Sequence, residues 1–239
     1  MRLLFIRHAE PDYSIDSLTE KGWKEAELLS RRLGRLNPAA IYCSPMGRAK
    51  DTASFTLQKL GRSAEQLPWL EEFPCRIPRP DRGKPGIPWD LPDDVWTSHP
   101  QMYDKDAWAM DPLLQGLDDV AAAQRRVVEG FDALLERHGY LRSGPLYRPL
   151  RPNTDTLLLF CHLGVQFVLL SHLTGVAAPV LWQNFCVLPS SVTTVCSQQR
   201  QRDLCCFRVQ SLGDTSHLYA FDEPPSSMGF FSEVFQEEP

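Results

Sequence analysis

The sequence predicts an α/β protein: a three-layer α/β/α sandwich whose mostly parallel central sheet carries an antiparallel edge strand. Three observations predict it. A short apolar run, a polar loop and a helix-patterned stretch follow one another three times, with the runs at 3–6, 39–43 and 156–161. Two further apolar runs, Val192 to Cys196 and Leu204 to Val209, flank a polar QQRQRD stretch and read as a terminal hairpin at the antiparallel edge. A hydrophobic fraction of 43% with 23% charged residues is that of a chain able to bury a core.

Taken in order, Leu3 to Ile6 suits a central strand buried on both faces, and it puts Arg7 and His8 at the strand's C-terminal tip. Ser17 and Thr19 offer caps to a helix on which Trp23, Ala26, Leu29, Leu33 and Leu36 recur at three- and four-residue steps, ended by Asn37-Pro38. Ala39 to Cys43 is a second strand, and Ser44-Pro45-Met46-Gly47-Arg48 turns the chain into a helix with Ala49, Ala53, Leu57 and Leu60 on one face. A third short strand is expected at 66–70. Seven prolines then fall between Pro74 and Pro100, interleaved with Trp89 and Trp96. The stretch at about 73–117 is therefore read as a cap insertion with short helices, inside a single domain spanning 1–239.

Val120, Ala123, Val127, Val128, Phe131, Leu134 and Leu135 mark a long amphipathic helix with Gly139 at its C-cap. A basic, proline-containing connection through Arg142, Arg148 and Arg151 reads as a solvated loop. The strand at Thr156 to Cys161 follows, then His162 and a helix through Leu173 capped by Gly175.

The formal net charge of −5 and a pI near 5.7 create no overall positive field, so neither a nucleic-acid backbone nor an anionic membrane is an expected partner. The N-terminus lacks the apolar core of a signal peptide, and no stretch approaches a membrane span. Seven cysteines with no CxxC pair and no metal-ligand spacing read as reduced thiols in the cytoplasm. No metal and no cofactor are expected. His99, His138, His172 and His217 have no partner at metal spacing and read as packing or surface residues. The oligomeric state is left open, with a homodimer among the options.

Ligands of open α/β sheets sit beyond the C-terminal strand ends, where helix N-termini present free N–H groups. Arg7-His8, Arg48 and His162 all fall at such ends, so residues remote in sequence converge on one sheet edge. Two guanidinium forks and two imidazoles make a trap for a phosphate dianion. A neutral imidazole there can attack phosphorus while the guanidinium groups stabilise the equatorial oxygens, and the adjacent positive charge keeps that imidazole unprotonated.

Arg7-His8-Ala9-Glu10, Leu18-Thr19-Glu20-Lys21-Gly22, Ser44-Pro45-Met46-Gly47-Arg48-Ala49 and Thr52-Ala53 resemble the histidine phosphatase superfamily, the phosphoglycerate-mutase-like fold. The resemblance continues at Leu70-Glu71-Glu72, at Cys161-His162 and at Gly213 to Leu218, covering nearly the whole chain. It implies that His8 is phosphorylated during turnover, that Arg7, Arg48 and His162 hold the phosphoryl oxygens, and that Glu72 is the proton donor, with Glu71 adjacent. The implied activity is metal-independent hydrolysis of phosphate monoesters on a small phosphorylated metabolite.

The chain departs from the commonest pattern at Ala9, at Pro11 and Ser14, where phosphate-holding residues are frequent, and at His162-Leu163-Gly164, which replaces a direct His-Gly step. A phosphoglycerate mutase is the alternative enzyme, disfavoured by the short connection between RHAE and LTEKG. A phosphate-binding module without turnover is a third reading, disfavoured by the presence of both His8 and a carboxyl at 72.

Overall fold

The computed structural model describes residues 1–79, 82–229 and 234. Strand β1 (Arg2–Arg7) lies inside the sheet, with Leu3, Phe5 and Ile6 fully buried. Alternation sends Leu3 and Phe5 into one core and Leu4 and Ile6 into another, which is why the run is apolar at every position. Burying each such side chain contributes roughly 1.5–3 kcal/mol.

A small hairpin of β2 (Pro11–Asp12) and β3 (Ser17–Leu18) leads into α1 (Glu20–Leu33), whose first turn is capped by the Thr19 hydroxyl accepting from the Gly22 N–H at 3.0 Å. The helix stops at Gly34, short of the expected Asn37-Pro38. Glycine weakens helical continuation, and the turn that follows returns Leu36 to the core. Next come β4 (Ala40–Cys43), α2 (Gly47–Leu60) and β5 (Glu65–Gln66). The strand expected at 66–70 is cut short at Gln66, because Pro68 has no N–H to offer a ladder and opens a 3-10 turn, Pro68–Leu70.

From 73 to 117 the described chain is a string of 3-10 turns with one short helix, α3 (Asp93–Thr97). Its Phe73 and Trp108 pack on Trp182, with ring centroids 5.7 and 5.1 Å apart, and belong to the same core as Leu3 and Phe5. Helix α4 (Val120–Arg137) is capped by Asp119 and leaves through Gly139 at φ +92 into β6 (Tyr140–Ser143) and β7 (Leu146–Pro149). This hairpin corrects the loop expected through Arg142, Arg148 and Arg151. Tyr140 and Tyr147 face inward on Phe207, centroids 5.7 and 5.0 Å away, and Gly144 at φ +59 provides the left-handed turn residue.

The chain closes with β8 (Thr156–Cys161), α5 (Leu163–Thr174), α6 (Ala178–Asn184), β9 (Val192–Gln201), β10 (Leu204–Asp214) and α7 (Ser216–Tyr219). Helix α5 is apolar around nearly its whole circumference and correspondingly buried, ending at Gly175 with φ +76.

The sheet order is β5-β4-β8-β1-β9-β10-β7-β6. Strands β5, β4, β8 and β1 are parallel; β9 joins β1 antiparallel and the rest continue so. The terminal hairpin therefore lies inside the sheet, and the antiparallel portion is wider than one edge strand. Leu29 and Leu33 of α1 with Ala49 and Ala53 of α2 cover one face against Leu4, Ile6, Leu158 and Phe160. Phe131 and Leu135 of α4 with Phe167 of α5 cover the other against Leu3, Phe5, Leu157 and Leu159, which completes the three layers.

Candidate active site

Parallel register builds the site. Arg7 pairs with Cys161 and Cys43 with Phe160, while the His8 N–H donates to the Cys161 carbonyl at 3.0 Å and the Ser44 N–H to the Phe160 carbonyl at 2.9 Å. Three consecutive parallel strands thus end level, and His8, Ser44 and His162 emerge side by side. The rings of His8 and His162 are tilted at 56° with centroids 5.1 Å apart.

His8 is 1% exposed, and its Nδ1 lies 2.8 Å from the Ala9 carbonyl. A carbonyl only accepts, so in the neutral ring the proton sits on Nδ1 and the lone pair on Nε2. Burial first, and then the Arg7 and Arg48 charges, hold its pKa well below 6.5 against the opposing pull of the Ala9 bond. His162 is depressed likewise, by burial and then by His8, Arg48 and Arg7. Its Nε2 is 2.7 Å from the Ser44 hydroxyl, while its Nδ1 is buried without a partner among the described residues.

Arg7 donates from Nη1 to the Val187 carbonyl at 2.6 Å, and Arg48 from Nη1 to Asp16 Oδ1 at 2.6 Å. Both side chains are nearly buried and each keeps a buried Nε without a partner among the described residues. Buried polar groups of this kind are rare unless a ligand satisfies them.

Glu72 follows the 3-10 turn after β5, and its Oε1 accepts from the Phe73 N–H (2.8 Å) and from the Val165 N–H (3.1 Å) in the first turn of α5. It caps that helix in place of His162, whose side chain makes no cap bond. Burial raises its pKa, although these two N–H groups, Arg48 and Arg7 pull the other way. Both bonds fall on Oε1, which leaves Oε2 free for a proton. Arg7, Arg48 and Glu72 line a cavity of about 920 Å³; the two histidines are buried beside it. Glu71 is turned away into an ion pair with Arg126 and does not line the cavity. All five residues read from the sequence are brought together.

Sequence reasoning missed Asp16 and Ser44. Asp16 has φ +48, and its Oδ2 accepts from the Gly47 N–H at 2.7 Å while Oδ1 grips Arg48. Burial opposes its ionisation, but the Gly47 N–H and Arg48 hold its pKa below the ordinary carboxylate value. A Cβ on Gly47 would lie 2.0 Å from the Asp16 carbonyl oxygen, so glycine is required where these chains meet. We expect Asp16→Ala to cost about 1–2 kcal/mol in urea unfolding through the lost cap, and Asp16→Asn to cost less, because asparagine keeps a cap acceptor and tolerates positive φ. Equal costs would show that the cap contributes nothing.

At the departures from the familiar pattern, Ser14 is exposed and bonded to Asp12, and Tyr13 lines the cavity beneath the Arg48 guanidinium, 5.5 Å from its ring. Gly164 is pressed by Trp89 and Glu72: a Cβ would stand 2.5 Å from one and 2.7 Å from the other. The remaining histidines have protein partners, His99 with Asp111, His138 with Tyr42, His172 with Asp132 and His217 with Ser190. Among the described residues, no group of three or more His, Cys, Asp or Glu could hold a metal ion, and no helix is long and apolar enough to cross a membrane.

Two cationic forks, two neutral imidazoles and a protonatable carboxyl at the carboxyl edge of a parallel sheet define a site of the phosphoryl-handling kind. A model of the histidine phosphatase superfamily (branch 1) matches residues 3–209, and the chain belongs to that superfamily. Solved structures share its fold. A phosphoserine phosphatase mutant from Entamoeba histolytica in complex with phosphoserine aligns at a TM-score of 0.60 and 17% identity, covering 91% of this chain and 98% of its own. A mycobacterial glucosyl-3-phosphoglycerate phosphatase aligns at 0.59 and 21% identity, covering 89% and 98%. A further mycobacterial hydrolase aligns at 0.60 and 20% identity, again covering 89% and 98%. No curated protein sequence matches the chain.

Proposed function

We propose that the protein hydrolyses phosphate monoesters of small metabolites through a phosphohistidine on His8. The observation that carries this reading is the hydrogen bond from His8 Nδ1 to the Ala9 carbonyl, which leaves Nε2 available within the field of two guanidinium groups whose Nε donors have no partner among the described residues. Nε2 attacks phosphorus and the bond to the leaving oxygen breaks. Glu72 gives that oxygen its proton and, as a carboxylate, then takes one from the water that cleaves the N–P bond. Arg7 and Arg48 grip the phosphoryl oxygens, whose growing charge they neutralise. Ser44 donates to His162 Nε2, which places the ring proton on Nδ1, the atom without a partner among the described residues, as a further donor to the phosphoryl group.

The single domain spans 1–239, and the stretch at 73–117 acts as a cap that selects the organic half of the substrate. Supporting this, Arg79, Arg82, Trp89, Asp90 and Asp93 from it line the same cavity as Arg7 and Arg48. A cavity of that size suits a small organic phosphate. Two of the structural relatives are phosphatases named for phosphoserine and glucosyl-3-phosphoglycerate. A reducing cytoplasmic setting accords with seven free cysteines.

The pH dependence of kcat/KM on an alkyl phosphate, which follows the ionisations of the free enzyme, tests the assignment. His8 must be neutral, and its depressed pKa keeps it so until the pH falls through a value well below 6.5. Glu72 must carry a proton, and its raised pKa retains that proton until the pH climbs through it. The profile is therefore a bell whose acid limb belongs to the histidines and whose alkaline limb belongs to Glu72. Glu72→Gln removes the alkaline limb; a variant that keeps it would show that another group donates the proton. Turnover of p-nitrophenyl phosphate is expected to survive treatment with EDTA.

A further inference from the structure

A second cavity, of about 1010 Å³, lies at the far end of α5. His162 immediately precedes that helix and His172 lies in its last turn, which puts this cavity about 15 Å along the axis from the catalytic site at 1.5 Å per residue. We propose that it binds an organic phosphate of nucleotide size, separately from the catalytic cavity.

Charge is the first argument. Lys105, Arg125, Arg142 and Arg208 reach the cavity from four separate segments of a chain whose net charge is −5. Among the described residues that line it, Asp106 is the one carboxylate, and it is paired with Lys105. The side chains of Arg125 and Arg208 form no ion pair or hydrogen bond among the described residues, whereas those of Arg126 and Arg137 are matched with Glu71 and Glu65. Arginine forks left unmatched around a concavity favour phosphate oxygens, which they bind bidentately.

Preorganisation is the second. The Arg142 guanidinium lies 4.8 Å over the Tyr147 ring and donates to the His172 carbonyl at 3.3 Å. Tyr147 is buried, and its hydroxyl donates to Asp132 Oδ1 at 2.8 Å, the oxygen that also bonds His172 Nε2 at 2.9 Å. The Asp132 charge is thus spent on the wall, and Arg142 is held in place rather than swinging in solvent. The sequence places this arginine in a solvated loop; the hairpin of β6 and β7 instead sets it at the cavity.

The third argument is the apolar surface. Val128, Leu146, Val168 and Phe207 supply the wall between the cations. Inorganic phosphate would use none of it. An anion with a flat or apolar body uses both halves, and the volume matches that of small-molecule sites.

Titration calorimetry with adenosine 5′-(α,β-methylene)diphosphate, whose bridging carbon resists hydrolysis, tests the site in protein whose catalytic cavity is saturated with orthovanadate. One equivalent is expected to bind. Arg125→Glu with Arg208→Glu should weaken that binding about tenfold or more, with kcat and KM on p-nitrophenyl phosphate altered less than about twofold. Both positions are exposed, and Arg125→Gln with Arg208→Gln serves if charge reversal impairs folding. No binding to the vanadate-saturated protein would overturn the proposal, as would unchanged binding by the folded double variant. Equally tight binding of inorganic phosphate would overturn the organic class. The arginine variants read the second cavity whether or not vanadate fills the first, so failure here is distinct from failure of the catalytic reading.

Discussion

His8→Ala abolishes turnover: kcat for p-nitrophenyl phosphate is expected to fall by about 10⁴-fold or more, equivalent to roughly 5.5 kcal/mol of barrier. His162, the other imidazole at the site, is not placed to take over. His162 is buried beside it, but its Nε2 is held by Ser44 and its Nδ1 carries the proton in the proposed arrangement. The arginines and Glu72 remain, so substrate still binds and KM changes far less than kcat. The variant should fold, since the change removes one ring from the sheet edge and leaves the His8 backbone bonds to Cys161 and Ser190 in place. Circular dichroism checks the fold, and acid quenching checks for an acid-labile phosphoprotein in the wild type that the variant lacks. A folded His8→Ala protein that retains full activity would end the phosphohistidine reading.

Glu72→Gln carries the second large effect. Glutamine preserves an oxygen to accept from the Phe73 and Val165 N–H groups, so the start of α5 stays capped while the proton is lost. General acid catalysis contributes typically 10²–10⁴-fold, and a loss of about that size is expected on an alkyl phosphate. The loss should be smaller on p-nitrophenyl phosphate, whose phenolate departs without a proton. Glu71→Gln is the control. It breaks a half-exposed pair with Arg126, worth about 1 kcal/mol at most, and should leave kcat alone. Equal losses from both substitutions would mean that the acid has been misassigned between the neighbours.

Much of this was legible in the sequence because its causes are local. An apolar run that ends abruptly in Arg-His predicts a buried strand with a charged tip, and β1 is one. The caps at Thr19 and Gly175 are local too, and both stand where residue type alone puts them. Errors arose where long-range pairing decides. The stretch from Tyr140 to Arg151 is polar on one side and aromatic on the other, a pattern that becomes a hairpin only because Phe207 on β10 offers the aromatics a surface. The terminal hairpin reads as an edge by sequence position; its place beside β1 is a matter of which strand remains unpaired once β8 has taken the other side.

The same division holds in the site. Residue identity by itself determined the chemistry on offer: His8, His162, Arg7, Arg48 and Glu72 are the cations, imidazoles and carboxyl that phosphoryl transfer needs, and their positions after strands pointed to one edge. Only the tertiary structure decided which atoms are available. Asp16 is in place because a left-handed residue meets Gly47 across the site, Ser44 because β4 and β8 end level, and Glu72 rather than Glu71 because Val165 lies opposite. Hydrogen-bond direction, burial and tautomer depend on groups distant in the chain, and no local pattern encodes them.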